Sequence, residues 1–171
     1  MAARTRQLEN EIIGLIPRLR RFARSLSRNE ADADDLTQIA LERALARLEQ
    51  WKPETRLDSW MYRIMQNAWI DETRSRQRRG RFHAPPEAGD NVGADDPGFE
   101  QTVRMMSVEA AMETLPDEQR LAVALVLVEG LSYKEAASVM DVPMGTLTSR
   151  LARGRQALEA ILAPAAGEQT R

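Results

Sequence analysis

Within the stretch LSYKEAASVMDVPMGTLTSRLARGRQAL (131–158), Thr146, Ser149, Arg150 and Arg153 recur at i, i+3, i+4 and i+7. On a helix those positions share one face. Arginine can meet guanine or phosphate, and hydroxyls make adaptable hydrogen bonds, so the stripe suits base edges and phosphates. Arg155 lies on the opposite flank, placed to clamp a phosphate. Leu147, Leu151, Gly154, Leu158 and Ile161 form an adjoining face that should be buried. Upstream, a short helix carries the small pair Ala136–Ala137, and a tight turn follows at Asp141-Val142-Pro143 before a longer helix opens near Gly145. Small residues let a second helix cross closely, which is what a helix-turn-helix requires. The pattern favours DNA; the alternative is an ordinary helical hairpin with a solvated basic face.

A second group lies in the N-terminal half. Arg63, Asn67, Asp71, Arg74 and Arg78 fall within about 80° of arc at ~100° per residue. They border the apolar set Leu57, Trp60, Met61, Ile64, Met65 and Ala68, next to the loop Trp51–Arg56. An amide and arginines beside a loop suit unstacked bases, and Trp51, Trp60, Tyr62 and Trp69 are candidates to stack on them. At their spacing Trp60 and Trp69 read more readily as core. The segment 74–81 holds five arginines in eight residues, either a polyanion contact or cations complementing a helix end. A third group is acidic. Asp35, Gln38, Glu42 and Glu49 line one helix face, with Asp32 and Asp34 nearby. Phosphates would be repelled there, so the stripe is either a solvated face or a surface for a basic protein partner.

Other chemistries are disfavoured. The 171 residues contain no cysteine and one histidine, His83, so disulfides, cysteine zinc sites and histidine triads are not expected. There is no Gly-rich phosphate loop, metal-ligand cluster or nucleophile–base pair, so neither an enzyme nor a cofactor or metal is expected. No apolar run approaches the ~18 residues of a membrane span, and the N-terminus lacks a signal peptide's apolar stretch. A soluble cytoplasmic protein is expected. The net charge of −2 hides an asymmetry: residues 1–82 hold 17 Lys/Arg against 12 Asp/Glu, residues 83–120 hold 2 against 9, and the remainder balances. A basic half beside an acidic middle implies separate tasks.

These groups need helices to carry them. Three-and-four spacing predicts helices over about 8–27, 30–48 and 57–78, the first bent or restarted at Pro17 and the second capped by Asn29. Pro53 makes 49–56 a loop. Residues 80–100 hold three of the eight prolines and four of the nine glycines in an acidic stretch, the composition of a flexible linker. Helices follow at about 101–114, 116–129, 132–140 and 145–162. Pro116 falls in a first turn, Gly130 at a helix end, and Ser132 with Glu135 forms a capping box. The expected architecture is all-α: a helical domain over 1–79, a linker over 80–100, a second helical domain over 101–163 and a flexible tail over 164–171.

Taken in order, DADDLTQIALERAL (32–45), LDSWMYRIMQNAWIDETRSRQRR (57–79) and LPDEQRLAVALVLVEGLSYKEAASVMDVPMGTLTSRLARGRQAL (115–158) resemble the bacterial extracytoplasmic-function (ECF) sigma factors of the sigma-70 superfamily. The resemblance implies a factor that binds RNA polymerase core and directs it to promoters. Asp34, Asp35, Leu36 and Gln38, with Glu42 on the same stripe, match the helix that docks on the clamp coiled coil of the largest subunit; Ile39 stands where that family usually has an acidic residue. The loop with Trp51 and Arg56 matches the one that holds a flipped base of the minus-ten element. Asn67 and Asp71 match positions flanking that pocket, and Arg63, Arg74 and Arg78 lie on the same helix. Thr146, Thr148, Ser149, Arg150 and Arg153, with Arg155, match the reader of the minus-thirty-five element. Thr148 stands where a basic residue is frequent, and Asp141 where Gly is common in the turn.

The resemblance also implies an anti-sigma partner. The segment LIPRLRRFARSLSRNEADADDL, with the lack of Cys, looks most like members serving general stress in alphaproteobacteria. Two rival classes remain: a regulator that binds duplex DNA without polymerase, and a helical mimic that sequesters an anti-sigma. The acidic linker is further expected to fold back on basic surfaces in the free protein and suppress DNA binding.

Overall fold

The computed structural model describes residues 2–80 and 108–163, and every regular element among them is helical. The expected linker, the start of the helix at 101–114 and the tail lie outside the described residues.

Helix α1 (Ala2–Leu26) starts earlier than the periodicity predicts and passes through Pro17 without a break. Pro17 and Ile13 both face solvent, so the carbonyl that loses its N–H partner can be hydrated instead of stranded in the core. The inner face carries Leu8, Ile12, Leu19, Phe22, Ala23 and Leu26. Helix α2 (Glu30–Leu45) is capped by Asn29, whose side-chain oxygen accepts from the Asp32 N–H at 2.8 Å. It ends three residues short of the expected Leu48, and Leu48–Gln50 forms a separate 3₁₀ turn, so Glu49 does not share the acidic face of α2 as the sequence suggests. Its buried residues are mostly small, Ala33, Ala40 and Ala44 beside Leu36 and Thr37, so α1 and α3 approach it closely. Helix α3 (Leu57–Gly80) buries Met61, Tyr62, Ile64, Met65, Ala68 and Trp69. Phe22 meets Tyr62 edge-on at 5.0 Å between ring centres, a favoured aromatic geometry.

In the C-terminal half, residues 108–114 are helical. Helix α4 (Asp117–Val123) runs on into one wide π turn, Ala124–Val128, which the periodicity does not reveal. Gly130 then turns the chain at φ 72°. Helix α5 (Tyr133–Met140) opens with the expected reciprocal capping box of Ser132 and Glu135. Asp141 adopts the left-handed region at φ 54°, ψ 49°, which short polar side chains tolerate better than most, and helix α6 (Met144–Leu162) follows. Leu147, Leu151 and Gly154 are buried as expected. Leu158 is half-buried and Ile161 is 49% exposed. The expected buried face stops there because nothing described covers the last turns of α6.

The two halves pack against each other, and one continuous apolar cluster runs from α1 through to α6. At its C-terminal end α6 crosses α4 on Gly154. A Cβ there would lie 2.7 Å from Val123 Cγ2 and 3.3 Å from the Gln119 carbonyl oxygen. Alanine favours a helix over glycine by about 1 kcal/mol, but forced overpacking costs about 1–3 kcal/mol, and the Gln119 carbonyl belongs to a helix backbone that yields little. Gly154→Ala is therefore expected to lower stability by about 1–2 kcal/mol, read as an earlier midpoint in urea unfolding.

Candidate nucleic-acid interface

The helix-turn-helix presents the first polar face. Ser149 and Arg153 are exposed on α6, Thr146 is half-buried, and Arg155 lies on another flank. Thr148 Oγ1 is exposed and donates to the Met144 carbonyl at 2.8 Å, which spends its proton and leaves its lone pairs to accept. Arg150 differs from the open stripe the sequence suggests. It is half-buried, and its Nη2 lies 3.1 Å from Glu118 Oε1 of α4. Any base or phosphate that bound Arg150 would have to displace that carboxylate.

The second face lies along α3. Asn67, Arg74 and Arg78 are exposed, and Arg43 of α2 donates to Asp71 at 3.0 Å. Asp71, Arg74, Gln77 and Arg78 line a shallow concavity. Arg56 and Arg63 are committed elsewhere. Arg56 is bidentate to Asp58 at 3.1 and 2.7 Å and also pairs with Glu135 of α5, while Arg63 donates to the Ser138 carbonyl. Two of the aromatic candidates are not placed to stack on a base. Tyr62 is fully enclosed and Trp69 is buried, because their positions on α3 point into the helical core. Trp60 is half-buried. Trp51 is half-buried too, packed on the core with its indole N–H enclosed and without a partner. Its loop is pinned by the Thr55 N–H and hydroxyl, which donate to the Lys52 carbonyl at 2.9 and 2.7 Å.

The third face is acidic. Asp34, Asp35, Gln38 and Glu42 are exposed on α2, whereas Leu36 is buried and Ile39 half-buried. Asp34 lies 3.8 Å from Arg20, and Gln38 donates to Glu42 at 3.0 Å. Asp35, Leu36 and Ile39 line one wall of a cleft of about 420 Å³, which Asp117 and Arg120 of α4 close from the other side.

Sequence reasoning missed the groups that join these faces. The Glu129 carboxylate is wholly enclosed and accepts from Arg21 Nε and Nη2 at 2.9 Å each and from the Tyr62 hydroxyl at 2.6 Å, with Arg18 Nε at 3.8 Å. The Arg21 guanidinium is held charged above its ordinary range by that hydrogen bond and charge, and burial followed by the Glu129 bond pushes the Tyr62 phenol well up. Arg120, also buried, donates to the carbonyls of Leu26, Glu113 and Leu115 at 3.0, 2.6 and 3.1 Å and stacks over Trp69. Burial lowers its pKa. One signal was available: in ALVLVEGL (124–131) a lone carboxylate interrupts an apolar run.

Two polar, arginine-bearing helix faces and one acidic face lie on a frame that is helical throughout the described residues and carries a helix-turn-helix, the frame of a class of DNA-binding factor. Comparison with known proteins sharpens it. Residues 14–79 match Sigma-70 region 2, and residues 105–158 match Sigma-70, region 4. ECF RNA polymerase sigma factor SigE of Mycolicibacterium smegmatis is 40% identical over 155 residues, covering 88% of this chain and 60% of SigE. The chain thus spans less than two thirds of that relative. ECF RNA polymerase sigma factor EcfG of Rhodopseudomonas palustris is 35% identical over 164 residues, 92% of this chain and 86% of EcfG. Among solved structures, the sigma factor RpoE in complex with the anti-sigma factor NepR from Bartonella quintana superposes with a TM-score of 0.75 at 27% identity, covering 91% of this chain and 96% of RpoE. The chain belongs to the sigma-70 family, among its ECF sigma factors. Sigma factors bind RNA polymerase core and promoter DNA to initiate transcription and are not enzymes. No described helix is long and apolar enough to cross a membrane.

One carboxylate ties the start of α3 to α1. Burial by itself would push the Asp58 carboxyl up, but hydrogen bonds from Arg56 and the Ser59 N–H and the charges of Arg56 and Arg18 hold it below the ordinary carboxylate value. A folded-state pKa held low adds stability above the unfolded value and loses it as pH falls through the folded one. Stability is therefore expected to fall on acidification below about pH 4. Asp58→Asn should flatten that part of the decline in urea midpoints measured from pH 7 to 3.

Proposed function

We propose that this chain docks on the RNA polymerase core through the acidic face of α2 and reads two promoter elements, one with each helical half. The observation that carries the proposal is the match to both sigma-70 regions, in order, on a chain whose recognition helix keeps Thr148, Ser149 and Arg153 exposed. Asp34, Asp35, Gln38 and Glu42 provide the polar part of the core contact, and Leu36 and Ile39 in the adjoining cleft the apolar part. A basic coiled-coil surface complements that charge, and Ile39 replaces an acidic contact with an apolar one.

Asn67, Asp71, Arg74 and Arg78, with Arg63, Arg56 and the Trp51 loop, take the minus-ten element. Flipping a base costs a few kcal/mol, and capture of the unstacked base offsets it, so melting becomes sequence reading. Thr146, Thr148, Ser149, Arg150 and Arg153 take the minus-thirty-five element, with Arg155 on a phosphate. Each half binds weakly alone, and polymerase, by holding both at fixed spacing, combines their affinities. The chain acts in the cytoplasm, where polymerase works. Its likeness to EcfG and to a sigma factor crystallised with NepR supports a stress-response factor held by an anti-sigma protein.

The test is co-elution with purified bacterial core polymerase, followed by run-off transcription from a genomic fragment library. Co-elution with discrete new start sites is expected; no binding by protein freed of any anti-sigma would overturn the reading in favour of a stand-alone regulator. Asp35→Lys should abolish co-elution while leaving helix content unchanged by circular dichroism. Arg150→Ala should lose about 1–3 kcal/mol on promoters with the intact upstream element. An equal loss on every upstream sequence would assign Arg150 to a phosphate.

A further inference from the structure

We propose that the free chain is latched shut through Glu129, so that it can dock on polymerase but engages the minus-ten element only weakly until its two helical halves part. The inference rests on the functional reading above and names a regulation of the same faces.

Two of the arginines assigned above to the minus-ten element, one just before α3 and one within it, are already bonded to α5. Arg56 pairs with Glu135, and Arg63 donates to the Ser138 carbonyl. Gln66, next to Asn67 in the chain, donates from Nε2 to the Val139 carbonyl at 2.9 Å. A strand of DNA and helix α5 cannot hold these groups at once. The acidic stripe on α2 is different: Asp34, Asp35, Gln38 and Glu42 remain exposed in the same closed arrangement. The acidic face is wholly available, whereas the minus-ten face keeps Asn67, Arg74 and Arg78 exposed but has Arg56 and Arg63 engaged by α5, which favours an order of binding with polymerase first and DNA second.

Glu129 holds this arrangement. It closes the π turn, its N–H donating to the Ala124 carbonyl five residues back at 3.0 Å. The extra residue in that turn places the carboxylate against α1 and α3, where Arg21 and Tyr62 supply three hydrogen bonds from the other half of the chain. Such turns recur at functional sites. A buried ion pair gains little over its parts in water, yet losing one partner leaves an uncompensated charge. The contact is therefore either whole or open, as a latch must be. The rest of the inter-half polar contact goes largely to main-chain carbonyls, of Leu26, Ser138 and Val139, groups that water can satisfy once the halves separate.

The experiment uses the full chain without polymerase. Wild type, Glu129→Gln and Arg21→Ala are compared by X-ray scattering and by anisotropy of a fluorescent single strand carrying the minus-ten sequence found by run-off mapping. Apparent affinity scales with the open fraction, so both variants are expected to expand and to bind at least about tenfold tighter. In holoenzyme, where polymerase holds the halves apart, their transcription should stay at the wild-type level. If Glu129→Gln fails to fold, Arg21→Ala, on the exposed side of the contact, carries the test. Expanded variants that bind no tighter, variants that stay compact, or an already extended wild type would each overturn the proposal. Failure of the functional reading would instead appear as wild-type protein that does not co-elute with core.

Discussion

The Glu129 carboxylate has no exposed surface, and the packing of one half of the molecule on the other depends on it. A buried charge is tolerated only when its hydrogen-bonding capacity is filled and its charge opposed. The three donors that do so come from Arg21 on α1 and Tyr62 on α3, so satisfying this one group fixes α1, α3 and the π turn at a single mutual position. Phe22 then packs edge-on against Tyr62, and Arg18 places its guanidinium 5.7 Å from the same ring. Arg120 repeats the arrangement with the signs reversed: a buried cation from the C-terminal half reaches a carbonyl of α1 and covers Trp69 of α3.

The joint between the halves differs in kind from the cores within them. Within the N-terminal half, Ile12, Leu19, Phe22, Met61 and Met65 interlock with essentially no exposure, and separating such groups from one another exposes apolar surface at about 25 cal/mol per Å². Across the joint, the apolar cluster is continuous but is laced with ion pairs and side-chain bonds to carbonyls. Interfaces of that composition resemble transient ones more than obligate ones. The same amino-acid choices that make α3 suitable for nucleic acid, arginines and amides at its exposed and half-exposed positions, also make it suitable for carbonyls and carboxylates of α5. A polyanion reader and a polar self-contact draw on one set of donors.

Much of this was legible in the sequence. The all-α class follows from apolar spacing, the caps at Asn29, Ser132 with Glu135, and Gly130 from local chemistry, and the tight turn at Asp141-Val142-Pro143 from its residue types. The stripes on α2 and α6 follow from helical geometry alone. Other features were not legible because they depend on what lies opposite. Pro17 reads as a break, yet its outward orientation makes it tolerable. Ile161 reads as buried because periodicity continues beyond the partner that would cover it. Tyr62 reads as a base-stacking candidate by type, but its burial is set by Phe22 and Glu129, far away in the chain. The π turn has no periodic signature, and without it the carboxylate at Glu129 looks like an anomaly in an apolar run.

The internal pairing of cations also explains how a DNA reader can carry a net charge of −2. Arg150 faces Glu118, Arg43 faces Asp71, and Arg76 bridges Asp32 and Glu72. Exposed pairs of this kind are worth roughly 0–1 kcal/mol and half-exposed ones little more, so a polyanion would displace the carboxylates cheaply, but each displaced acid would remain close to the backbone phosphates. The sequence-independent part of DNA affinity, which scales with the phosphates neutralised, is thereby kept low. On the proposed assignment, what remains is the part that depends on base edges at Thr146, Ser149, Arg150 and Asn67. A chain built this way gains little from random DNA and needs a larger basic partner to hold it on a promoter. The acidic α2 stripe is suited to recruit one.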